Sequence, residues 1–281
     1  MADNYLERKM EEHRSGGDRS KKKIRPVAGK RQGEIAVKFP PRRVLVTGGA
    51  KGIGRAVVEA FRKADCTVDF IDIDRAAGQR TAQSTGARFI PADISDPVQL
   101  QKALDLILAS RGDIDIVVSN AGVGDFRPLT DLDWQQFDKV QHINLRPAVI
   151  IARALALHRV DNPNPWGGRL ILISSSRHLM SETGTEAYSA SKGALASLTH
   201  ALMMSLSEHG ITVNSISPGW IETDPAAIHT DADRMQHPSG RVGVPADVAR
   251  ACIFLSLPDN DFINGSDIVI DGGMTRRMIY V

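Results

Sequence analysis

The feature that most constrains this chain is a glycine-rich segment directly after an apolar run. Residues 44–54 read Val-Leu-Val-Thr-Gly-Gly-Ala-Lys-Gly-Ile-Gly. Gly48 permits a tight turn, Gly52 lets the backbone approach a pyrophosphate, and Gly54 lets a following helix pack closely on the strand. The N-terminus of that helix favours phosphate groups. The segment therefore predicts a strand, a turn and a helix that bind a dinucleotide.

A carboxylate at the expected distance supports this interpretation. A second apolar run ends in Phe-Ile-Asp-Ile-Asp, which places Asp72 eighteen residues after Gly54. A carboxylate about 20 residues beyond the glycines typically binds the adenosine ribose. The combination is more specific than the glycines alone.

Strand and helix patterns alternate from residue 43 onward, which predicts one doubly wound α/β domain with a seven-stranded parallel sheet and helices on both faces. The predicted strands are Val44–Thr47, Thr67–Ile73, Arg88–Pro91, Ile114–Ser119, Arg169–Ser174, Ile211–Ser217 and Asp267–Ile270. The predicted helices are Ile53–Ala64, Val98–Ser110, Asp133–Val160, Glu186–His209 and Pro245–Leu257. Residues 220–245 have no clear periodicity, and so long a loop in a compact domain predicts a lid or a binding loop.

Charge separates residues 1–42, a basic N-terminal arm, from the domain at 43–281. Residues 1–43 hold 13 Lys/Arg against 6 Asp/Glu, and the remainder holds 22 against 27. The arm lacks the interleaved aromatic residues of a nucleic-acid stacking platform. We expect a solvated or subunit-packing arm with one short helix over Tyr5–His13, and no nucleic-acid partner.

Other classes are disfavoured by composition. No apolar run approaches the roughly 20 residues that span a bilayer, and the charged N-terminus has no secretory h-region. Two cysteines, Cys66 and Cys252, are too few for a disulfide framework, and the eight histidines form no clustered ligand set. We therefore expect a cytoplasmic protein with no membrane partner and no metal.

Tyr188-Ser-Ala-Ser-Lys192 places a phenol and an ammonium four residues apart, on one face if the segment is helical. A nearby cation stabilises phenolate, so we expect Lys192 to lower the pKa of Tyr188 and to make the phenol a general acid/base. A Tyr–Lys pair at this spacing is also common on ordinary helix surfaces.

Several ordered motifs between about residues 43 and 275 resemble those of the short-chain dehydrogenase/reductase family. Thr47-Gly48-x-x-x-Gly52-Ile53-Gly54 resembles its cofactor turn and Asn120-Ala121-Gly122 its fourth-strand motif, while Asp93-Ile94 resembles its adenine-contact pair. Pro218-Gly219 with Thr223 resembles the turn that holds the nicotinamide carboxamide. The resemblance implies a Rossmann fold and NAD or NADP as cofactor. The implied cofactor-binding residues are Gly48, Lys51, Gly52, Ile53, Gly54, Asp72, Asp93, Ile94, Asn120, Ala121, Gly122, Tyr188, Lys192, Pro218, Gly219, Ile221 and Thr223.

The resemblance also completes a catalytic set of Asn144, Ser175, Tyr188 and Lys192. Ser175, thirteen residues before Tyr188 as in the family, would polarise the substrate oxygen. Ser174 and Ser176 compete for this assignment, but the spacing favours Ser175. Asn144 resembles the helix asparagine that positions a water in the proton relay. The set implies interconversion of a secondary alcohol and a ketone or aldehyde.

Alternatives come from two other classes. A Ser/His hydrolase using His178 would require a Gly-x-Ser-x-Gly elbow, which the sequence lacks. A non-catalytic cofactor sensor that binds a partner through the basic arm would not need the complete catalytic set.

The substrate and the assembly are less constrained. The mostly polar segment 177–186 favours a sugar, a polyol or a small hydroxy acid, and whether Arg177 and His178 bind an anion stays open. Asp72 favours NAD because it would repel the 2′-phosphate of NADP, while Lys51 would offset part of that repulsion. The resembled interface helices imply a homodimer or homotetramer, and the apolar end of the tail 274–281 suggests that it docks.

Overall fold

Seven parallel strands form one sheet in the computed structural model, which describes residues 39–278. They are β1 (Arg43–Thr47), β2 (Thr67–Asp72), β3 (Arg88–Pro91), β4 (Ile116–Ser119), β5 (Gly168–Ile173), β6 (Ile211–Pro218) and β7 (Asp267–Ile270). Their order is β3-β2-β1-β4-β5-β6-β7. The predicted doubly wound α/β fold is confirmed. The predicted helix Tyr5–His13, nearly all of the basic arm and the last three residues of the tail lie outside the described residues.

Helices follow the strands and cover both faces of the sheet. They are α1 (Gly52–Lys63), α2 (Arg75–Thr85), α3 (Pro97–Arg111), α4 (Trp134–Asn144), α5 (Arg146–Asp161), α6 (Glu186–Leu206), α7 (Asp231–Met235) and α8 (Pro245–Leu255). A short 3-10 turn, Ser207–His209, directly continues α6.

Two separate cores form because successive side chains of a strand point to opposite faces. In β1, Val44 and Val46 enter the core that α1 and α8 cover, whereas Leu45 enters the core that α3, α5 and α6 cover. The strands are apolar on both faces, as expected for a parallel sheet buried between two helical layers.

The predicted single helix Asp133–Val160 is wrong, because the segment forms α4 and α5 with Leu145 between them. Pro147 explains the break: it has no amide hydrogen to donate to the carbonyl of Ile143. Asn144 consequently occupies the last position of α4.

The sequence prediction also missed α2, a polar helix in which apolar periodicity is weak. Its ends carry ordinary capping residues: the Asp74 carboxylate accepts a hydrogen bond from the amide of Ala77, and Gly86 ends the helix at φ +70°. Gly78 allows α2 to pack on the sheet, since a Cβ there would lie 2.5 Å from the ring of Phe89. The strands Arg88–Pro91 and Asp267–Ile270 were predicted with their observed bounds, and the other predicted boundaries lie within three residues of the observed ones.

Residues 220–245 form an excursion closed at its base. The amide of Glu222 donates to the carbonyl of Gly243, and the amide of Gly243 donates to the carbonyl of Trp220. Within the excursion lies the short helix α7, whose N-terminus is capped reciprocally by Thr230 and Asp233.

The strand order reverses direction between β1 and β4, and ligand clefts of open parallel sheets lie at this switch point, beyond the carboxyl ends of the strands. Within residues 39–278, none of the helices has both the length and the apolar composition needed to cross a membrane.

Candidate active site

A cleft of about 880 Å³ opens at the carboxyl ends of the strands, next to the switch point. Its volume is in the range of small-molecule and cofactor sites. All but two of the residues predicted for the site line it; the exceptions, Gly54 and Asn144, pack against lining residues. The lining residues among those predicted are Gly48, Lys51, Gly52, Ile53, Asp72, Asp93, Ile94, Asn120, Ala121, Gly122, Ser175, Tyr188, Lys192, Pro218, Gly219, Ile221 and Thr223.

The glycine turn leaves the first amides of α1 available for a ligand. Gly48 and Gly52 adopt φ values of +67° and +54°, which glycine adopts without strain. No side chain caps the helix at Lys51, and its first turn carries no acidic residue. The free amides and the positive end of the helix dipole therefore suit a phosphate group.

Gly54 acts by allowing close packing rather than by lining the cleft. A Cβ at this position would lie 2.0 Å from the carbonyl oxygen of Gly48 and 2.6 Å from Nδ2 of Asn120. Nδ2 of Asn120 donates to the carbonyls of Thr47 and Gly48 at 3.0 and 3.2 Å. The hydroxyl of Thr47, to which the sequence motifs assign no role, accepts hydrogen bonds from the amides of Asn120 and Ala121 and joins the two motifs.

Asp72 lies at the end of β2, where both carboxylate oxygens accept backbone hydrogen bonds. One accepts from the amide of Ala50 at 3.0 Å and the other from the amide of Asp74 at 2.9 Å. Lys51 lines the same end of the cleft, and its Nζ lies 2.6 Å from a carboxylate oxygen of Asp74. The only lysine of the glycine turn is thus already paired with an acidic side chain.

Tyr188, Lys192 and Ser175 converge at the opposite end of the cleft. The first turns of α6 carry Tyr188 and Lys192, and Ser175 follows β5. Nζ of Lys192 donates to the carbonyl of Ile173 at 2.8 Å and lies 5.5 Å from the centroid of the Tyr188 ring. The competing serine, Ser174, donates its hydroxyl hydrogen to the carbonyl of Lys192 and so fixes α6 against β5.

The expected lowering of the pKa of Tyr188 by Lys192 is not found. Burial of the phenol raises the pKa of Tyr188 above its ordinary value, against smaller opposing effects of the neighbouring Ser175 side chain and the charge of Arg177. Burial also lowers the pKa of Lys192 to about 8. The ammonium of Lys192 is itself desolvated and donates a hydrogen bond to a backbone carbonyl. For this reason its charge does not determine the direction of the pKa shift of Tyr188.

Asn144 makes three side-chain hydrogen bonds in a nearly fully buried position. Its Oδ1 accepts from the amide of Val123 at 2.8 Å, and its Nδ2 donates to the carbonyl of Val123 and to the hydroxyl of Ser191, both at 2.9 Å. Ser191 in turn donates to the carbonyl of Tyr188 at 2.7 Å. The side chain of Asn144 therefore holds the Gly122–Val123 backbone and the α6 turn together.

Phe126 beside the phenol, and the Arg177–Glu182 pair next to Phe126, are not marked by any sequence motif. The Phe126 ring lines the cleft, with its centroid 5.7 Å from that of Tyr188. The guanidinium of Arg177 lies 5.7 Å from the Phe126 centroid, and its Nη2 donates to Glu182 at 2.7 Å. No local pattern marks these residues, because they come together only through two loops.

His178 does not line the cleft. Its Nε2 lies 3.0 Å from both the hydroxyl of Ser217 and a carboxylate oxygen of Asp267. These contacts fasten the turn after Ser175 to β6 and β7. The imidazole of His178 is therefore engaged by Ser217 and Asp267, which removes the histidine on which the hydrolase alternative depends.

Comparisons with known proteins agree with this geometry. The sequence profile of the family described as enoyl-(acyl carrier protein) reductase matches residues 48–275. An uncharacterized oxidoreductase of Thermotoga maritima is 36% identical over 84% of this chain and 96% of its own length. The L-fucose dehydrogenase of Mus musculus is 34% identical over 84% and 89%. The crystal structure of a short-chain dehydrogenase from Burkholderia cenocepacia in complex with NADP is 31% identical, with a TM-score of 0.77 over 85% of this chain and 99% of that one. This chain is therefore an oxidoreductase of the short-chain dehydrogenase/reductase family.

Proposed function

We propose that the protein interconverts a secondary alcohol and a ketone or aldehyde with NAD or NADP, using Tyr188, Lys192, Ser175 and Asn144. The observation that carries this proposal is the convergence of Tyr188, Lys192 and Ser175 in the cleft that also contains the uncapped glycine turn. The relative with bound NADP and the relative named as a sugar dehydrogenase support it.

A dinucleotide fits the residues of the cleft. The first amides of α1 and the glycines at 48 and 52 would hold the pyrophosphate, and Asp72 would accept the ribose hydroxyls. Asp93 and Ile94 would contact the adenine, with Asn120, Ala121 and Gly122 beneath the centre of the cofactor. The residues Pro218, Gly219, Ile221 and Thr223 would hold the carboxamide end. When bound, the nicotinamide supplies or accepts the hydride.

The side chains of this protein would move the proton. Tyr188 donates its hydroxyl proton to the substrate oxygen during reduction and, as phenolate, accepts it during oxidation. The raised pKa keeps the phenol protonated near neutral pH, which suits the donor role. Ser175 donates a hydrogen bond to the substrate oxygen as charge develops.

Lys192 and Asn144 would support the phenol rather than react. Nζ of Lys192 lies below the Tyr188 ring and also beside Gly122, where it can donate to the nicotinamide ribose. Asn144 ends α4 at the break caused by Pro147, so that the final carbonyls of α4 can hold a relay water. Its side chain keeps Val123 and Ser191 in place.

The substrate on this proposal is a small polar alcohol, with a sugar, a polyol and a hydroxy acid as candidates. Residues 220–245 would form the lid over it. Their base is held by hydrogen bonds between Trp220, Glu222 and Gly243, and Ile228 within the excursion is 93% exposed. A side chain so exposed could pack on a substrate if the excursion closed.

Assembly as a homodimer or homotetramer is part of the proposal. Apolar side chains of α5 and α6 are exposed, among them Leu157, Val160 and Met204. Such surfaces are commonly covered by a partner subunit. Light scattering at micromolar concentration should report a dimer or a tetramer, and a monomer would contradict this part.

The direct test is a turnover screen of sugars, polyols, hydroxy acids and apolar ketones with both cofactors, followed through nicotinamide absorbance. We expect turnover of at least one class by the wild-type protein and none by the Tyr188→Phe variant. Tight cofactor binding without any turnover would overturn the proposal in favour of a cofactor sensor.

A further inference from the structure

Building on the proposed function, we propose that the substrate is a neutral polyhydroxylated molecule, a sugar or a polyol, recognised by the Arg177–Glu182 ion pair and the ring of Phe126. We call these three residues the polyol wall. The Phe126 ring lines the cleft beside Tyr188, and the Arg177–Glu182 ion pair lies next to that ring. A small hydroxy acid, which is among the substrates that the sequence favours, is then not a substrate of this protein.

The polyol wall lies beside the reacting groups. The Phe126 ring lines the cleft together with Ser175 and Tyr188. The backbone amide of Arg177 donates to the hydroxyl of Ser175 at 3.2 Å, and its guanidinium stands 5.7 Å from the Phe126 centroid. A substrate whose carbinol oxygen meets Ser175 and Tyr188 therefore extends toward this wall.

The two loops that carry the wall are joined. The amide of Arg127 donates to the carbonyl of Gly184 at 3.2 Å, and a Cβ at Gly184 would lie 2.6 Å from the carbonyl oxygen of Arg127. The hydroxyl of Thr185 donates to the carbonyl of Glu182 at 2.7 Å. The main chain of Glu182 is thus held in a loop that contacts the loop carrying Phe126.

The chemistry of the wall matches hydroxyl groups. Arg177 has five N–H donors, one of which donates to Glu182 at 2.7 Å, and Glu182 offers carboxylate lone pairs. A hydroxyl both donates and accepts, so neighbouring hydroxyls can bind to both partners of the pair. The Phe126 ring adds an apolar face, 61% exposed, for the C–H side of a sugar or polyol.

The charge balance of the wall disfavours an anionic substrate. Glu182 already neutralises Arg177 at 2.7 Å, and its side chain is 76% exposed. A substrate carboxylate near Arg177 would also approach Glu182 and be repelled. A neutral polyol meets no such repulsion.

The test compares kcat/KM for pentitols, hexitols and aldoses with that for the corresponding aldonic acids and for cyclohexanol. The wild-type protein should prefer a neutral polyol or sugar over its acid by at least about tenfold. Glu182→Gln keeps an oxygen for Arg177 but removes the charge. It should lower kcat/KM for the neutral substrate about tenfold, which corresponds to 1.4 kcal/mol, mainly by raising KM. The kcat/KM for cyclohexanol should stay within about twofold of the wild-type value, because cyclohexanol has no further hydroxyl for the pair to bind.

Matched controls separate the wall from general surface effects. Glu208→Gln removes a carboxylate of similar exposure, 79%, on the 3-10 turn after α6 and should change nothing. Phe126→Leu should weaken the polyol preference, whereas Phe262→Leu, at a 98% exposed position, should not.

The results that would contradict the substrate inference differ from those that would contradict the proposed function. If Glu182→Gln leaves kcat/KM for the polyol unchanged, the substrate inference is overturned. If wild-type protein prefers cyclohexanol or an acid, it is overturned as well, while loss of that turnover in Tyr188→Phe keeps the proposed function. Absence of turnover with every class and both cofactors overturns the proposed function itself.

Discussion

The ammonium of Lys192 is almost fully buried in the wall of the cleft, with its Nζ 2.8 Å from the carbonyl oxygen of Ile173. Within residues 39–278, no carboxylate forms an ion pair with it. Burial without an opposite charge lowers the pKa of Lys192 from 10.5 to about 8. The folded state therefore bears a free-energy cost for holding this cation in place.

Lys192→Met should make the protein more stable near pH 7 while removing its activity. Below pH 8 both states carry the proton and the cost is fully present. Between about pH 8 and 10.5 the folded state releases the proton while the unfolded state keeps it, so stability rises with pH. A shift of this size corresponds to about 3 kcal/mol, and loss of the Ile173 hydrogen bond offsets about 1 kcal/mol.

Urea unfolding of both proteins at several pH values measures this difference. We expect Lys192→Met to gain about 2 kcal/mol near pH 7, with the gain shrinking toward pH 10. A wild-type protein that is the more stable of the two near pH 7 would show that the ammonium is not a cost to folding.

Gly54→Ala should damage the fold and the cofactor turn together. The new Cβ would lie 2.0 Å from the carbonyl oxygen of Gly48, and backbone atoms there cannot move without distorting the turn. We expect a loss of about 3 kcal/mol or more in the free energy of unfolding. Gly193→Ala is the matched control, because a Cβ within α6 meets no heavy atom within 4 Å. It should stabilise the helix by about 0.5–1 kcal/mol.

Equal unfolding midpoints for the two alanine variants would contradict the close approach of α1 to β1. Cofactor titration by fluorescence adds a second measurement. Gly193→Ala should bind NAD like the wild type, whereas Gly54→Ala should bind it at least about tenfold more weakly.

The sequence predicted the parts of this protein that local chemistry determines. Glycines at 48, 52 and 54 specify their turn by backbone conformation and close packing, and apolar runs specify the buried strands. The helix Arg75–Thr85 was missed because its buried face is made of Ala, Gly and Thr, although Asp74 and Gly86 were usable end signals.

Properties that depend on tertiary surroundings were not predictable from the sequence. Burial, not proximity to Lys192, sets the direction of the pKa shift at Tyr188. The Phe126 ring reaches the phenol, and Arg177 with its partner Glu182 reaches that ring, only because two loops meet. The Lys51–Asp74 pair likewise depends on how the turn after β1 lies against the turn after β2.

The preference for NAD over NADP should depend on the Lys51–Asp74 ion pair. Asp72 would repel the 2′-phosphate of NADP, and Lys51 is engaged by Asp74 at 2.6 Å. We expect the wild type to prefer NAD by at least about tenfold in kcat/KM, equivalent to 1.4 kcal/mol. Asp74→Asn should keep the cap of α2, release Lys51 and raise kcat/KM for NADP severalfold with little change for NAD.

Asp72→Ala should narrow or reverse the preference, because it removes both the ribose acceptor and the repulsion. Steady-state kinetics with each cofactor provides the comparison. Equal efficiency of the wild-type protein with NAD and NADP would refute the role given to Asp72.

The most direct test of the account is Tyr188→Phe, which removes the proton donor and almost no volume. Turnover of the best substrate and cofactor affinity should be measured on the same preparations, with Lys192→Ala in parallel. We predict that Tyr188→Phe loses at least about a thousandfold in kcat, within the range for general acid–base catalysis, while its cofactor Kd stays within about twofold of wild type. Lys192→Ala should impair both. A Tyr188→Phe protein that turns over substrate at the wild-type rate would contradict the proposed chemistry.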